Sequence, residues 1–404
     1  MAAMAEGGPS RIGNPLTGED CISTVECLVE TGADIEIFGE GEFGAVPFAI
    51  VTRERPWSTP DVPLDCGNSG TSMRLLAGVL ASLHGVDSTL VGDASLSKRP
   101  MRRIVEPLRQ MGASIDGDTA PLTISGRLLQ GIRYMSPVAS AQVKSCLLLA
   151  GLAATGETWV SEPSKTRDHT ERMFEALGVE VMRDGDLAVG VRGGQKLSPL
   201  DFDVPADISS AAFFLVAAAM LPGSEVQLLE VGVNPTRTGI LEVLATAGVS
   251  VEENVPRDQV GEPVADLHVR GPGGLRAFEI GGALVPRLID EIPVLAVLAT
   301  QCSGVTKIRD AGELRVKESD RIETVAAGLR AMGAKVDTHE DGMDVHGPVR
   351  LKGATIDAEG DHRIAMAFAV AGLVADGETN VLNAQTVDTS YPAFETDLRR
   401  LSDS

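Results

Sequence analysis

The hydrophobic positions of this chain fall into two alternating patterns. The first is a run that is apolar on nearly every face and opens with small polar residues. It is clearest at residues 66–85, where Asn68, Ser69, Gly70, Thr71 and Ser72 precede a body of Leu, Ala, Val and Gly carrying one charge, Arg74. A helix without a polar face is a buried helix, and at about 14 residues this one is too short to cross a bilayer. The pattern returns as AQVKSCLLLAGLAATG to Gly156, SSAAFFLVAAAMLPG to Gly223, DEIPVLAVLATQCSG to Gly304 and HRIAMAFAVAGLVADG to Gly377, with a shortened form, MAAMAEGG, to Gly8. Each glycine is read as the end of its helix, and a β-type run follows it, such as SRIGNPL or ETWVSEP.

The second pattern is amphipathic: TVECLVETGADIEI, IVEPLRQMGASID, ERMFEALGVEVM, ILEVLATAGVSVEE and VAAGLRAMGAKVD. These helices are expected to stop at Gly32, Gly112, Gly178, Gly248 and Gly333 in left-handed caps, and a sixth copy, YPAFETDLRRL, lies near the C-terminus. The two patterns together recur about every 70 residues, a period too long and too mixed for a solenoid repeat. Six such units predict an α/β protein of two domains, residues 1–203 and 204–404, each of three units. In the first unit the chain begins inside the buried helix, so that unit is expected to lack its first strand and its helix start.

Composition narrows the functional classes. Lys and Arg number 35 against 57 Asp and Glu, a net charge of −22, which opposes non-specific binding to nucleic acid or anionic membranes. Aromatic residues are only 3% of the chain, which disfavours base-stacking platforms. Five cysteines without CxxC spacing fit reduced thiols, and no leader or membrane-length apolar run is read, so a cytoplasmic protein is expected. In so acidic a chain, local groups of Arg and Lys stand out.

The GxGxxG match GEGEFG is dismissed as a dinucleotide loop. A strand-like AVPFAIVT follows it instead of a helix, and Glu40 and Glu42 would repel pyrophosphate, so a hairpin turn is expected. No Walker A loop is present. The start of the 66–85 helix fits either ordinary capping or an anion site, because a helix N-terminus presents unpaired N–H groups and a positive dipole end. Four positive charges lie between Lys98 and Arg103. Pro100 suits the first helical position, which places Arg99 on the adjacent loop, where a guanidinium either is solvated or holds a carboxylate or phosphate. Ser140 and Gln142 open the third buried helix, and Arg167 precedes a surface helix. Asp290 and Glu291 head a further buried helix, where they fit an N-cap as well as a catalytic role. In GELRVKESDRIETV, Asp320 and Glu323 form a capping box, leaving Lys317 and Glu318 on the loop before it and Arg321 in the first turn. Asp361 is a cap followed by His362 and Arg363, a pair that packing alone explains poorly. If these helix starts converge, they build a dipole-assisted anion site equipped with acid–base groups.

The stretches GNSGTSMRLLAG, GDASLSKRPM, SAQVKS, LIDEIPVLA, ELRVKESDRI and GDHRIAMA resemble the 5-enolpyruvylshikimate-3-phosphate synthases, and the resemblance runs the length of the chain. It implies two similar domains of three βαβαββ units joined by a hinge that closes on the substrates. It implies transfer of the enolpyruvyl group of phosphoenolpyruvate to the 5-hydroxyl of shikimate 3-phosphate, through a tetrahedral intermediate, with no metal or organic cofactor. These two small molecules would be the only partners, with no nucleic acid and no membrane, and the protein would be a monomer. By resemblance Ser140, Gln142 and Arg167 hold shikimate 3-phosphate. Gly70, Arg99, Arg321 and Arg363 hold phosphoenolpyruvate, with Asn68, Thr71 and His362 in the substrate pocket. Asp290 and Glu318 form the acid–base pair beside Lys317. The family's G-[DS]-K-S-x-x-x-R segment is not present here, and Thr389 and Ala141 stand where some members carry Lys and Ser. These departures imply a truncated member and raise two alternatives: an impaired chain that only binds anions, and an enolpyruvyl transferase acting on UDP-N-acetylglucosamine, against which SLSKRPM argues.

Overall fold

The computed structural model describes residues 1–39 and 47–402. Over them the two helical patterns alternate as α1 (Glu19–Glu30), α2 (Gly70–Ser82), α3 (Arg102–Gln110), α4 (Ala141–Gly151), α5 (His169–Ala176), α6 (Ile208–Met220), α7 (Gly239–Ala247), α8 (Ile292–Ala299), α9 (Arg321–Ala331), α10 (His362–Gly372) and α11 (Phe394–Ser402). The amphipathic helices end as their glycines predict. Gly32 has φ +107°, and the N–H groups of Gly32 and Ala33 return to the carbonyls of Val29 and Leu28, both at 3.0 Å. This pair of bonds satisfies the last carbonyls of α1 in a conformation that glycine reaches without a Cβ clash. Gly112, Gly178, Gly248 and Gly333 repeat it, with φ from +85° to +95°.

The buried helices differ from expectation. α2 stops at Ser82 and α4 at Gly151, so Gly85 (φ +83°) and Gly156 (φ +90°) lie beyond them, in turns leading to strands Asp87–Val91 and Glu157–Ser161. Pro100 likewise lies two residues ahead of α3 and not at its first position.

The chain divides into one unit of residues 1–204 with 259–262 and another of residues 205–258 with 263–404. In the first unit, strands Leu64–Asp65 and Asp87–Val91 are parallel, and Leu122–Ser125 and Ser114–Asp116 then add antiparallel. A parallel pair needs a long crossover, and α2 supplies it. Arg133–Met135, Glu157–Ser161, Ala188–Arg192 and Val181–Asp184 repeat the sheet around α4. In the first repeat the parallel strand of the sheet comes from far along the chain. Asp201–Asp203 runs parallel to Ser10–Gly13, followed by Phe48–Thr52 and Asp34–Phe38, while the buried helix is represented by a 3-10 turn, Ala2–Met4. The GEGEFG motif (residues 39–44) lies outside the described residues beyond Gly39; the strands flanking it pair antiparallel. In the second unit the same topology returns in Leu275–Arg276, Cys302–Ile308, Gly342–Gly347 and Lys335–His339, and α10 crosses between parallel strands Thr355–Asp357 and Asn380–Leu382.

Each unit is organised on its buried helices. α2 lies against α4 so closely that a Cβ on Gly78 would sit 2.3 Å from the Cys146 carbonyl oxygen. In the second unit α6, α8 and α10 pack on one another, with Phe213, Leu295 and Phe368 fully enclosed. Each such side chain contributes about 1.5–3 kcal/mol by leaving water. This packing also brings helix starts together, and the polar residues of the sequence sit there.

Candidate active site

In the first unit the starts of α2 and α4 meet. Ser69 caps α2 by accepting from the Ser72 N–H (3.2 Å), and Ser140 caps α4 by accepting from the Val143 N–H (3.4 Å). Gln142 joins the two helices: its Nε2 donates to Thr71 Oγ1 at 2.8 Å and its Oε1 accepts from Arg74 Nη1 at 2.6 Å. Arg99, only 6% exposed, donates to Asn68 Oδ1 (2.5 Å), the Asn68 carbonyl (3.2 Å) and Ser95 Oγ (3.3 Å). Asn68 is fixed in turn by Asp93, to which its Nδ2 donates at 2.6 Å. Two guanidiniums therefore crowd the first residue of α2. A Cβ on Gly70 would lie 2.8 Å from Arg74 Nη1 and 3.3 Å from Arg99 Nη1. Positive charge beside a helix N-terminus, approached over a glycine, suits an anion. Arg167 is half-buried on the segment before α5, which is tied to α4 by the Ser145–Thr170 hydroxyl pair at 2.6 Å.

The second unit gathers the starts of α8, α9 and α10 around one guanidinium. Arg321, 1% exposed, donates through Nε to Asp361 Oδ2 (2.8 Å), through Nη2 to Asp361 Oδ1 (3.2 Å) and Glu318 Oε2 (2.6 Å), and through Nη1 to Asp290 Oδ1 (3.3 Å). Four of the five donors of an arginine are thus used on carboxylates. Lys317 Nζ reaches the same Asp290 oxygen at 3.3 Å, and Ser319 donates to Asp361 at 3.1 Å. The Asp320–Glu323 capping box forms as predicted, with Asp320 accepting from the Glu323 N–H at 3.2 Å. Asp361 caps α10 through the Arg363 N–H at 3.0 Å. Burial first, then the neighbouring Arg363 charge, lowers the His362 pKa to about 4, so this imidazole is neutral at pH 7 and offers hydrogen bonding without charge.

Asp290 and Glu291 do not act as an N-cap. α8 begins at Ile292 with no side-chain cap bond; Asp290 turns to Lys317 and Arg321, and the Glu291 carboxylate accepts from Ser209 Oγ at the start of α6. Ser209 also accepts from Arg237 Nη2 at 2.7 Å. Sequence reasoning missed this link, and it missed Arg74 and Lys144 as anchors of α2 and α4. Their signal was present: each is the one charged residue of an otherwise uncharged buried helix.

The EPSP synthase (3-phosphoshikimate 1-carboxyvinyltransferase) family model matches residues 1–398. The chain belongs to the EPSP synthase family. It is 50% identical to the 3-phosphoshikimate 1-carboxyvinyltransferase of Brevibacillus brevis over 100% of this chain and 93% of that protein, and 49% identical to the Bacillus cereus protein of that name, with 100% and 92% covered. Among solved structures, an EPSP synthase from Acinetobacter baumannii matches with TM-score 0.85 and 44% identity, over 99% of this chain and 91% of that one. The fold is therefore the two-unit α/β fold of EPSP synthases. These matches favour neither the impaired nor the UDP-sugar alternative.

Proposed function

We propose that this chain is a 3-phosphoshikimate 1-carboxyvinyltransferase, moving the enolpyruvyl group of phosphoenolpyruvate to the 5-hydroxyl of shikimate 3-phosphate and releasing phosphate. The observation that carries the assignment is the grouping of Asp290 and Glu318 on the buried Arg321, with Lys317 on Asp290. The reaction needs two proton-transfer groups. The 5-hydroxyl loses a proton as its oxygen attacks C2 of phosphoenolpyruvate, and the vinyl CH2 gains one, giving a tetrahedral intermediate. That intermediate then loses a methyl proton and the phosphate, with its C–O bond electrons, to leave the new enol ether. Asp290 and Glu318 serve as base and acid, Arg321 fixes their orientation, and Lys317 sets the charge next to Asp290.

The assignments for binding follow from the resemblance to the family. Ser140, Gln142 and Arg167 take shikimate 3-phosphate. Arg99 and the α2 start at Gly70, with Asn68 and Thr71, take anionic oxygens of phosphoenolpyruvate, and Arg363 supplies anion binding in the second unit, next to the neutral His362. Guanidiniums stabilise the departing phosphate. Among the described residues no helix is long and apolar enough to cross a membrane. A cytoplasmic location and a monomeric state are part of the same proposal.

Purified protein given both substrates should release phosphate, and neither substrate alone should do so. Folded protein that releases none would overturn the assignment, and turnover with UDP-N-acetylglucosamine in place of shikimate 3-phosphate would redirect it.

A further inference from the structure

Lys144 is buried two residues after Gln142 on α4, and its N–H bonds the Ser140 carbonyl at 3.1 Å. Its ammonium meets two buried carboxylates, Glu162 Oε2 at 2.9 Å and Glu171 Oε1 at 2.8 Å. Those carboxylates bracket the segment that carries Arg167. Glu162 follows strand Glu157–Ser161, and Glu171 stands in the first turn of α5. Between them Thr166, the immediate neighbour of Arg167, is 3% exposed and donates to Glu162 Oε1. One ammonium on the helix that presents Ser140 and Gln142 thus holds both ends of the segment that presents Arg167.

Stability alone explains this poorly. Replacing a buried ion triad with apolar residues of similar volume is often neutral or stabilising. This triad is also incompletely satisfied: Glu171 Oε2 is buried without a hydrogen-bond partner among the described residues, beside a cavity of about 80 Å³. Burial correspondingly raises the proton affinity of Glu171. A charged arrangement of this kind specifies direction: it fixes where the 162–171 segment lies along α4, as an apolar contact would not.

We propose that Lys144, Glu162 and Glu171, with Thr166, are positioning residues that set the placement of Arg167 relative to Ser140 and Gln142, and so set the affinity for shikimate 3-phosphate. The proposal rests on the assignment of Arg167 to that substrate. It predicts a selective effect, because neither Glu162 nor Thr166 has a part in proton transfer.

The test uses the full chain with Glu162→Gln, which keeps the side-chain shape, and Thr166→Val, which removes one hydroxyl. Lys144→Met leaves two buried carboxylates uncompensated and risks misfolding, so it is not the primary variant. Thermal melts first establish that each variant is folded. Both should then raise KM for shikimate 3-phosphate by about tenfold, with KM for phosphoenolpyruvate and kcat within about twofold. Arg167→Gln should raise the same KM, and adding Glu162→Gln to it should give little further increase, because the two act through one group. If Arg167→Gln raises KM while folded Glu162→Gln and Thr166→Val leave it unchanged, the positioning role fails and the Arg167 assignment stands. If Arg167→Gln leaves it unchanged, the assignment itself fails. A fall in kcat with both KM values shifted would mark a general packing role and also overturn the proposal.

Discussion

The two units differ in what holds the arginines at their helix starts. In the first, Asn68 and Ser95 hold Arg99, and Gln142 holds the half-buried Arg74, through amide and hydroxyl oxygens. In the second, Arg321 is bound by Asp361, Glu318 and Asp290, and its charge is spent on carboxylates. The first arrangement is suited to receiving an anion. The second is suited to holding proton-transfer groups at fixed angles, and it explains why Arg321, which the motif marks as a ligand, is 1% exposed. The roles proposed for these arginines divide accordingly, binding in the first unit and orientation in the second.

The largest test of this contrast removes the centre of the second cluster. Arg321→Met leaves three carboxylates without their shared cation, and should cost about 3–5 kcal/mol of stability, read by chemical denaturation, along with loss of turnover. The next effect concerns pH. His362 has a folded pKa of about 4 against an ordinary value near 6.5, so the unfolded chain binds more protons between those values. Its contribution is present in full above about pH 6.5 and is lost as pH falls toward 4, a difference of about 3 kcal/mol. His362→Gln should flatten the fall in melting temperature across that window; an unchanged acid limb would show that this imidazole does not set it. The smallest effect lies in the first unit. Gly70→Ala pushes a methyl group toward Arg74 and Arg99, and should raise KM for phosphoenolpyruvate about tenfold while leaving KM for shikimate 3-phosphate within about threefold.

Much of this architecture is local and therefore legible in the sequence. The caps at Ser69 and Ser140, the Asp320–Glu323 box and the closures at Gly32, Gly112, Gly178, Gly248 and Gly333 each involve residues a few positions apart. Repetition of those signals then displayed the α/β units. The contacts that were not legible join residues far apart in the chain. Asp201–Asp203 completing the sheet of Ser10–Gly13, Glu291 reaching Ser209 and Lys144 gathering Glu162 and Glu171 are set by tertiary packing, to which local pattern is blind. The candidate site behaved the same way. The motifs placed its residues at helix starts, but whether an arginine there faces amides or carboxylates depends on which starts pack together.

The central claim is that the first unit's arginines bind while the second unit's carboxylates transfer protons. Steady-state phosphate release by Asp290→Asn and Arg99→Gln, measured side by side against both substrates, tests it most directly. Asp290→Asn should lower kcat by about 10²–10⁴-fold with both KM values within about threefold. Arg99→Gln should raise KM for phosphoenolpyruvate by about 10–100-fold with a smaller change in kcat. A pure KM effect for Asp290→Asn, or a collapse of kcat for Arg99→Gln at unchanged KM, would contradict the division of labour.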